Sequence, residues 1–395
     1  MAVSGELQNR QFLIHQRDFR RPPQNAKVGG SLFASVAPMA LDLEDARRLY
    51  HFAFNAEDRA RLPFYAALLT ALEHDEQAQV LLAEVRVEQR NPMLILASLH
   101  LAALKGHPVL TPIYSRARTG QMENPSRAAT EVLGVVNDEP DTVHRELHRS
   151  TQTNEPGRSA VFRAVIALIA QRGHRVINIV DVGTSAGINL YFDRFPVRSR
   201  DDENPLTLVC RDDSPIDRSL PLPDVVSRIG VDLAPLDLSI EDDRLWLQAC
   251  YWPEEPRRMA RLDAVLAARP SWPTTTILTG SARDRLGDAL ALCDPSALTI
   301  VVNSYALGYF SESDQIAFFD EMTQRCASAN VAWISLESPF MVQWATSLTT
   351  SDEARKGGTQ ILVTLPGGSP TQWGWCQHHG LWMTLDDDAI ASSNA

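Results

Sequence analysis

Cysteine is scarce in this chain. There are five among 395 residues, Cys210, Cys250, Cys293, Cys326 and Cys376, widely spaced and with no C-x-x-C pair. An odd number at such spacing argues for reduced thiols and against a disulfide scaffold or a zinc site. Long apolar runs are missing as well. No stretch approaches the ~18 residues a membrane span needs, and the strongest candidate, residues 161–170, is interrupted by Arg163. The opening MAVSGELQNRQFLIHQRDFRR has no apolar core of signal-peptide length. A cytoplasmic protein is expected, with neither membrane contact nor a metal. Positive charge is also short: the formal net charge is -12. A field of that sign repels phosphate backbones, so nucleic acid is not expected as a partner. Residues 1–30 do gather Arg10, Arg17, Arg20, Arg21 and Lys27 against Glu6 and Asp18, which reads as a solvated or docked segment.

What is present is an ordinary globular composition, 44% hydrophobic and 22% charged, in a chain long enough for two domains. ALDLEDARRLYHFAF, PFYAALLTALEHDEQAQVLLAEV and PMLILASLHLAAL place apolar residues at helical spacing, and almost no alternating pattern precedes residue 175. Residues 1–150 are therefore expected to form an all-helical domain. From 151 to 395 the texture changes. RVINIVDVG, VVSRIGVDL, TTTILTG, ALTIVVNS and NVAWISLE read as strands, separated by helical segments and by an irregular insertion over 196–223. TQILVTL and the pieces flanking Gly380 read as an antiparallel ribbon. The expected fold is α/β: a doubly wound, Rossmann-like sheet, mostly parallel, with an antiparallel C-terminal ribbon. The tail DDDAIASSNA is expected to fray.

The stretch VDVGTSAGINLYFDRF fits two templates. Gly183-Thr184-Ser185-Ala186-Gly187 spells G-x-S-x-G, the nucleophile elbow of α/β-hydrolases. That fold places the elbow after the fifth strand, with an oxyanion loop upstream. Here it follows the first convincing strand, behind 150 helical residues and no H-G-G. Asp181-x-Gly183-x-x-x-Gly187 spells instead the first loop of an S-adenosylmethionine methyltransferase: a strand, a tight turn, and a helix expected from about Ser185 whose free N–H groups face the ligand. Asp181 is placed to hold a cationic amino group. Ser185 stands where glycine is usual, although DVGTSAG is close to the D-L-G-x-S-P-G variant of some RNA methyltransferases. By the same logic Asp232, ending the second strand, would accept from ribose hydroxyls. Ser281 and Ala282 would lie near an adenine amino group, and Asn303 and Ser304 at the cleft floor.

TQTNEPGR (151–158), the stretch above, VVSRIGVDLAPLDLSIEDDRLWLQACYWPEEPRRMARL and NSYALGYF together resemble a bacterial family known as domain of unknown function 2332. The likeness runs from about residue 60 to the end and implies a methyltransferase-like fold. The family usually reads G-D-A where this chain has Gly280-Ser281-Ala282, histidine where it has Asn303, and H-P-H-G where it has Gln377-His378-His379-Gly380. These departures fall where cofactor or substrate is expected.

Gln152, Asn154, Glu155 and Arg158 cluster at a helix start in a way that capping alone does not explain. Trp252 is a candidate for stacking on a flat ring. Glu155, Tyr309 and His379 are the candidate general bases. The expected activity is methyl transfer from S-adenosylmethionine to a small molecule, by a monomer or homodimer. The alternatives are elimination or hydrolysis on the same fold, or a non-catalytic binding protein.

Overall fold

The computed structural model describes residues 42–200, 202–212, 220–339, 341–342 and 358–386, with 388 and 391. The arginine-bearing N-terminal segment and most of the C-terminal tail lie outside them. The chain divides into two compact units, Met1–Gln152 with Leu245–Met259, and Thr153–Arg244 with Ala260–Ala395. The segment 245–259, expected in the second domain, belongs to the first unit.

The first unit is helical: α1 (Leu43–Phe52), α2 (Ala56–Arg61), α3 (Pro63–Glu73), α4 (Glu76–Glu84), α5 (Pro92–Leu104), α6 (Leu110–Arg118), α7 (Pro125–Asp138) and α8 (Asp141–His144). Asp42, Asn55, Asp75, Asn91 and Asn124 start five of them, each side chain accepting an N–H of the first turn. Leu62 cannot do this for α3. Glu254 does so instead, accepting from the N–H groups of Phe64 (2.8 Å) and Tyr65 (2.9 Å). Helix α5 is apolar all round and accordingly buried. Its His100 bonds through Nδ1 to the carbonyls of Ala249 and Tyr251, both at 3.1 Å. Burial lowers its pKa to about 4, so the imidazole is neutral and donates.

The second unit is built on one sheet. Its strands are β1 (Val176–Val182), β4 (Arg211–Asp212), β5 (Asp224–Asp232), β6 (Thr276–Thr279), β7 (Leu298–Ser304), β8 (Val331–Glu337), β9 (Thr359–Thr364), β10 (Thr371–Cys376) and β11 (Trp382–Leu385). They lie in the order β4-β11-β10-β9-β8-β7-β1-β5-β6, with a separate two-residue pair, β2 (Val197–Arg198) and β3 (Leu208–Val209), in the insertion. Neighbours from β6 to β8 run parallel, while β9, β10 and β11 turn back antiparallel. The architecture is thus mixed α/β with a large, mostly parallel sheet, as expected. Val180, Val182, Ile229, Val231, Val301, Trp333 and Leu362 form the core on one face. They pack with Leu286 and Ala289 of α12 (Ala282–Ala291) and Phe318, Met322 and Cys326 of α13 (Glu312–Ser328), the helices between being α9 (Ser159–Ala170), α10 (Glu241–Ala249) and α11 (Pro256–Ala268).

The chain leaves β1 toward β5 and β6, then returns to the other side of β1 through β7 and β8. The direction of winding reverses between β1 and β7. In open α/β sheets ligands bind beyond the carboxyl ends of the strands at such a reversal, here the ends of β1 and β7.

Candidate functional site

Two non-glycine residues among those described have left-handed backbone, Ser185 (φ 54°) and Tyr305 (φ 52°). Each follows one of the two strands that flank the reversal. Holding a side chain there costs about 1–3 kcal/mol and persists only where the surroundings impose it. Both are imposed by visible contacts.

After β1, the N–H groups of Gly183 (2.8 Å) and Thr184 (3.2 Å) both bond the carbonyl of Val231. Gly183 has φ 77°, and a Cβ there would run into Ala306. The Thr184 side chain lies over Gly230 and donates to Asp181 Oδ2 at 3.0 Å. The N–H of Ser185 donates to Asp232 Oδ2 at 2.8 Å, and Asp232 Oδ1 takes the N–H of Ala234 at 2.9 Å. Gly187 (φ 72°) bonds back to Thr184, and Asn154 Oδ1 accepts the N–H of Ile188 at 2.8 Å. Ser185 Oγ is buried with no hydrogen-bond partner.

No α-helix follows this loop. Residues Ile188–Arg194 form a kinked 3-10 stretch, so the expected helix N-terminus with its free N–H groups is not there. Gly187 enters the stretch left-handed at φ 72°, and Tyr191, at φ -108° and ψ 30°, breaks the turn within it, while Ile188, Leu190, Tyr191 and Phe192 are all buried. The segment is tied to β5 by Arg228, which pairs both oxygens of Asp193 at 2.8 Å.

Asp181 and Asp232 end neighbouring strands. Burial pushes the Asp181 carboxyl up to about 7, the Thr184 hydrogen bond opposing, and the Asp232 charge adds to the rise. The folded chain therefore holds this proton where the unfolded chain has lost it. That contribution is full below the unfolded value near 4 and is lost as pH rises through about 7. The loss is at most about 1.4 kcal/mol per pH unit in that window. Asp181→Asn should flatten the fall in unfolding free energy between pH 5 and 7.5, measured by denaturant titration. An unchanged slope would show that Asp181 is ionised throughout.

The other candidates divide. Ser281 caps α12, taking the N–H of Asp284 at 3.2 Å, and Ala282 is buried in the core. Asn303 lies within a closed network: Oδ1 takes Trp333 Nε1 (2.8 Å), and Nδ2 donates to Ser335 Oγ and Glu337 Oε1 (both 2.9 Å). Its amide braces strands β7 and β8 in place of forming an open floor. Ser304 accepts from Arg158 Nη1 through both its carbonyl and its hydroxyl, at 3.3 Å. Gln152 and Trp252 belong to the first unit. There Gln152 donates to Cys250 Sγ, and Trp252 packs on Phe54 under the guanidinium of Arg61. Tyr309 is 46% exposed.

Glu155 and His379, far apart in sequence, come together. Glu155 Oε2 lies 3.6 Å from His379 Nδ1, and Glu155 Oε1 takes the N–H of Gly157 at 2.9 Å. The two segments cross backbone to backbone: a Cβ on Gly157 would overlap the His379 carbonyl oxygen, and one on Gly380 the Gly157 carbonyl oxygen. Arg158 Nε fastens the crossing by donating to His378 O at 2.9 Å.

Three residues escaped the sequence reading. Tyr305 bonds Thr359 Oγ1 at 2.6 Å and carries the Arg158 guanidinium 4.7 Å over its ring. Glu337 Oε1 takes the N–H groups of Ala306 (2.9 Å) and Leu307 (3.1 Å) besides Asn303, while burial raises its pKa. Arg261 Nη1 lies 3.6 Å from Glu155 Oε1. The run NSYALGYF could have flagged Tyr305 as readily as Tyr309. Glu337 closes the strand run NVAWISLE as Asp232 closes its own, a signal that could have found it, while Arg261 is one arginine among several in PEEPRRMARL.

The site offers carboxylates, imidazole and guanidinium groups. Among the described residues no group of three His, Cys, Asp or Glu side chains is arranged to hold a metal, and no helix is long and apolar enough to cross a membrane. A family model described as "Uncharacterized protein conserved in bacteria (DUF2332)" matches residues 46–385. No curated protein and no solved structure matches the chain.

Proposed function

We propose, for a chain that belongs to the DUF2332 family of bacterial proteins, that the crevice between β1 and β7 binds S-adenosylmethionine and that the protein is a methyltransferase acting on a small molecule. The parallel strands run third-second-first-fourth-fifth in chain order, as in Rossmann-like folds, whose ligands lie beyond the strand ends at the reversal. The observation that carries the reading is the Asp232 carboxylate, hydrogen-bonded across to the left-handed Ser185.

The residues fit this cofactor better than a phosphate-bearing one. The N–H groups of Gly183, Thr184, Ser185, Gly187 and Ile188 are all taken inside the protein, so the loop does not present them to an anion. Asp232 spends one lone pair of each oxygen on backbone and retains others for hydroxyl donors such as a ribose diol. Asp181 beside it favours a cationic group, whose arrival would lower the pKa that burial raises. Ser185 Oγ, buried and unpartnered, is a donor or acceptor for the same ligand. When bound, the cofactor supplies an electrophilic methyl group in line with an acceptor. The chain's part is to hold the two partners aligned, and that alignment is the larger share of catalysis in such a displacement. Where the acceptor must lose a proton, His379 backed by Glu155 is the base the geometry offers.

The same pair supports a second reading, acid–base chemistry such as elimination or hydrolysis on this fold. Calorimetry separates the two. S-adenosylmethionine and S-adenosylhomocysteine should both bind, and Asp232→Asn should weaken each by about tenfold to a hundredfold, the worth of one or two hydrogen bonds to a charged group. No heat with either ligand on the folded protein would end the cofactor reading.

A further inference from the structure

The two arginines near Glu155 are used differently. Arg158 is built in, with Nε on His378 O, Nη1 on Ser304, and its plane over Tyr305. Arg261 is equally buried, at 9% exposure, yet its Nε is inaccessible to water and has no hydrogen-bond partner. Its contact with Glu155 is made through Nη1, at 3.6 Å. A guanidinium has distinct edges, and the contact with Glu155 is made through Nη1, so the Nε-bearing edge has no carboxylate against it. That is the edge which presents parallel N–H donors to a planar oxyanion. A buried donor left without an acceptor costs about 1–3 kcal/mol, so its persistence calls for a ligand that supplies one.

The cluster belongs to the crevice. Asn154, next to Glu155, holds the N–H of Ile188 at the end of the β1 loop, and Arg158 holds Ser304 at the end of β7. The balance of charge points to a singly charged anion. Glu155 is flanked by Arg261 and by His379, each at 3.6 Å, and Arg158 adds a second fixed cation. A phosphate dianion would meet Glu155 and Asp181 as well and would find the loop amides already taken.

We propose that Arg261 receives a carboxylate of the bound ligand on its Nε edge, with Glu155 and His379 fixing the guanidinium and closing the subsite. This deepens the cofactor reading and rests on it for the choice of probes. The carboxylate could come from the methionine part of the cofactor or from the acceptor, and the chemistry of recognition is the same.

The test uses the full chain. Arg261→Lys keeps the positive charge opposite Glu155 and removes the fork. If the cofactor supplies the carboxylate, this variant should bind S-adenosylhomocysteine at least about tenfold more weakly. It should bind 5′-methylthioadenosine, which lacks the amino-acid part, as the parent does. If the acceptor supplies it, both affinities stay unchanged. The Arg261 Nε–Hε nuclear magnetic resonance signal of the unmodified protein, assigned by its loss in the variant, should then move with benzoate and not with benzamide. Should S-adenosylhomocysteine give no heat while benzoate still moves that signal, the cofactor reading fails and the subsite stands. A signal unmoved by S-adenosylhomocysteine and benzoate alike overturns the inference. So does an equal loss of both nucleosides in Arg261→Lys, which would make the residue a structural brace.

Discussion

Replacing Glu337 by leucine should destabilise the second unit by about 4 kcal/mol, because it strands several buried donors at once. One oxygen of this carboxyl accepts from Asn303 Nδ2 and from the N–H groups of Ala306 and Leu307. Leucine fills the volume and accepts nothing. Each N–H left unpaired in that setting costs about 1–3 kcal/mol, partly relieved by relaxation. Glu337→Gln keeps the accepting oxygen and should lose less than half as much. Denaturant unfolding of the two variants measures the difference. Equal losses would mean that packing, and not the three hydrogen bonds, is what Glu337 contributes. The effect should reach the crevice, since Ala306 is the residue that Gly183 touches. If S-adenosylmethionine binds as proposed, weaker binding in Glu337→Gln than its stability loss explains would show the turn after β7 and the loop after β1 acting as one device.

Gly157→Ala should be nearly as damaging, at about 3 kcal/mol, or roughly 10 °C in melting temperature for a unit of this size. The added methyl would meet the carbonyl oxygen of His379, a backbone atom that no rotamer change can move aside. The crossing of 155–158 with 377–380 must then open, which parts Glu155 from His379. Gly134→Ala serves as the control. Gly134 lies inside α7 with nothing within 4 Å of a built Cβ. Its replacement should stabilise by up to about 1 kcal/mol through helix propensity. Thermal melts of both variants test the pair. A Gly157→Ala protein as stable as its parent would show that the crossing is looser than the structure has it.

How much of this was legible beforehand varies with the range of the interactions. The strands were readable because each is a run of β-branched residues ending in glycine or a polar residue, a signal contained within about eight positions. Asp181 and Asp232 stood out because each closes such a run. The helix expected after the β1 loop was wrong for a physical reason. INLYFDR buries four apolar residues within five positions, and periodicity cannot distinguish a buried helix from a buried irregular segment. Asn303 was expected at the cleft floor, where the indole of Trp333, thirty residues on, takes its amide oxygen. Tyr309 was preferred to Tyr305, although Tyr309 is 46% exposed and Tyr305 is half-buried beneath the Arg158 guanidinium.

By itself the sequence determined most local facts: where the sheet strands and the N-terminal helices lie, which loop carries the glycines, and which strand ends carry acids. These follow from propensity and periodicity, and both act over one turn or one pleat. Tertiary structure alone decided which of those ends meet. Glu155 finds His379 more than two hundred residues away, and Arg261 joins them from α11, more than a hundred residues from either. The order of strands in the sheet brings those segments together, and strand order is set by the packing of the whole unit, which no short stretch of chain encodes.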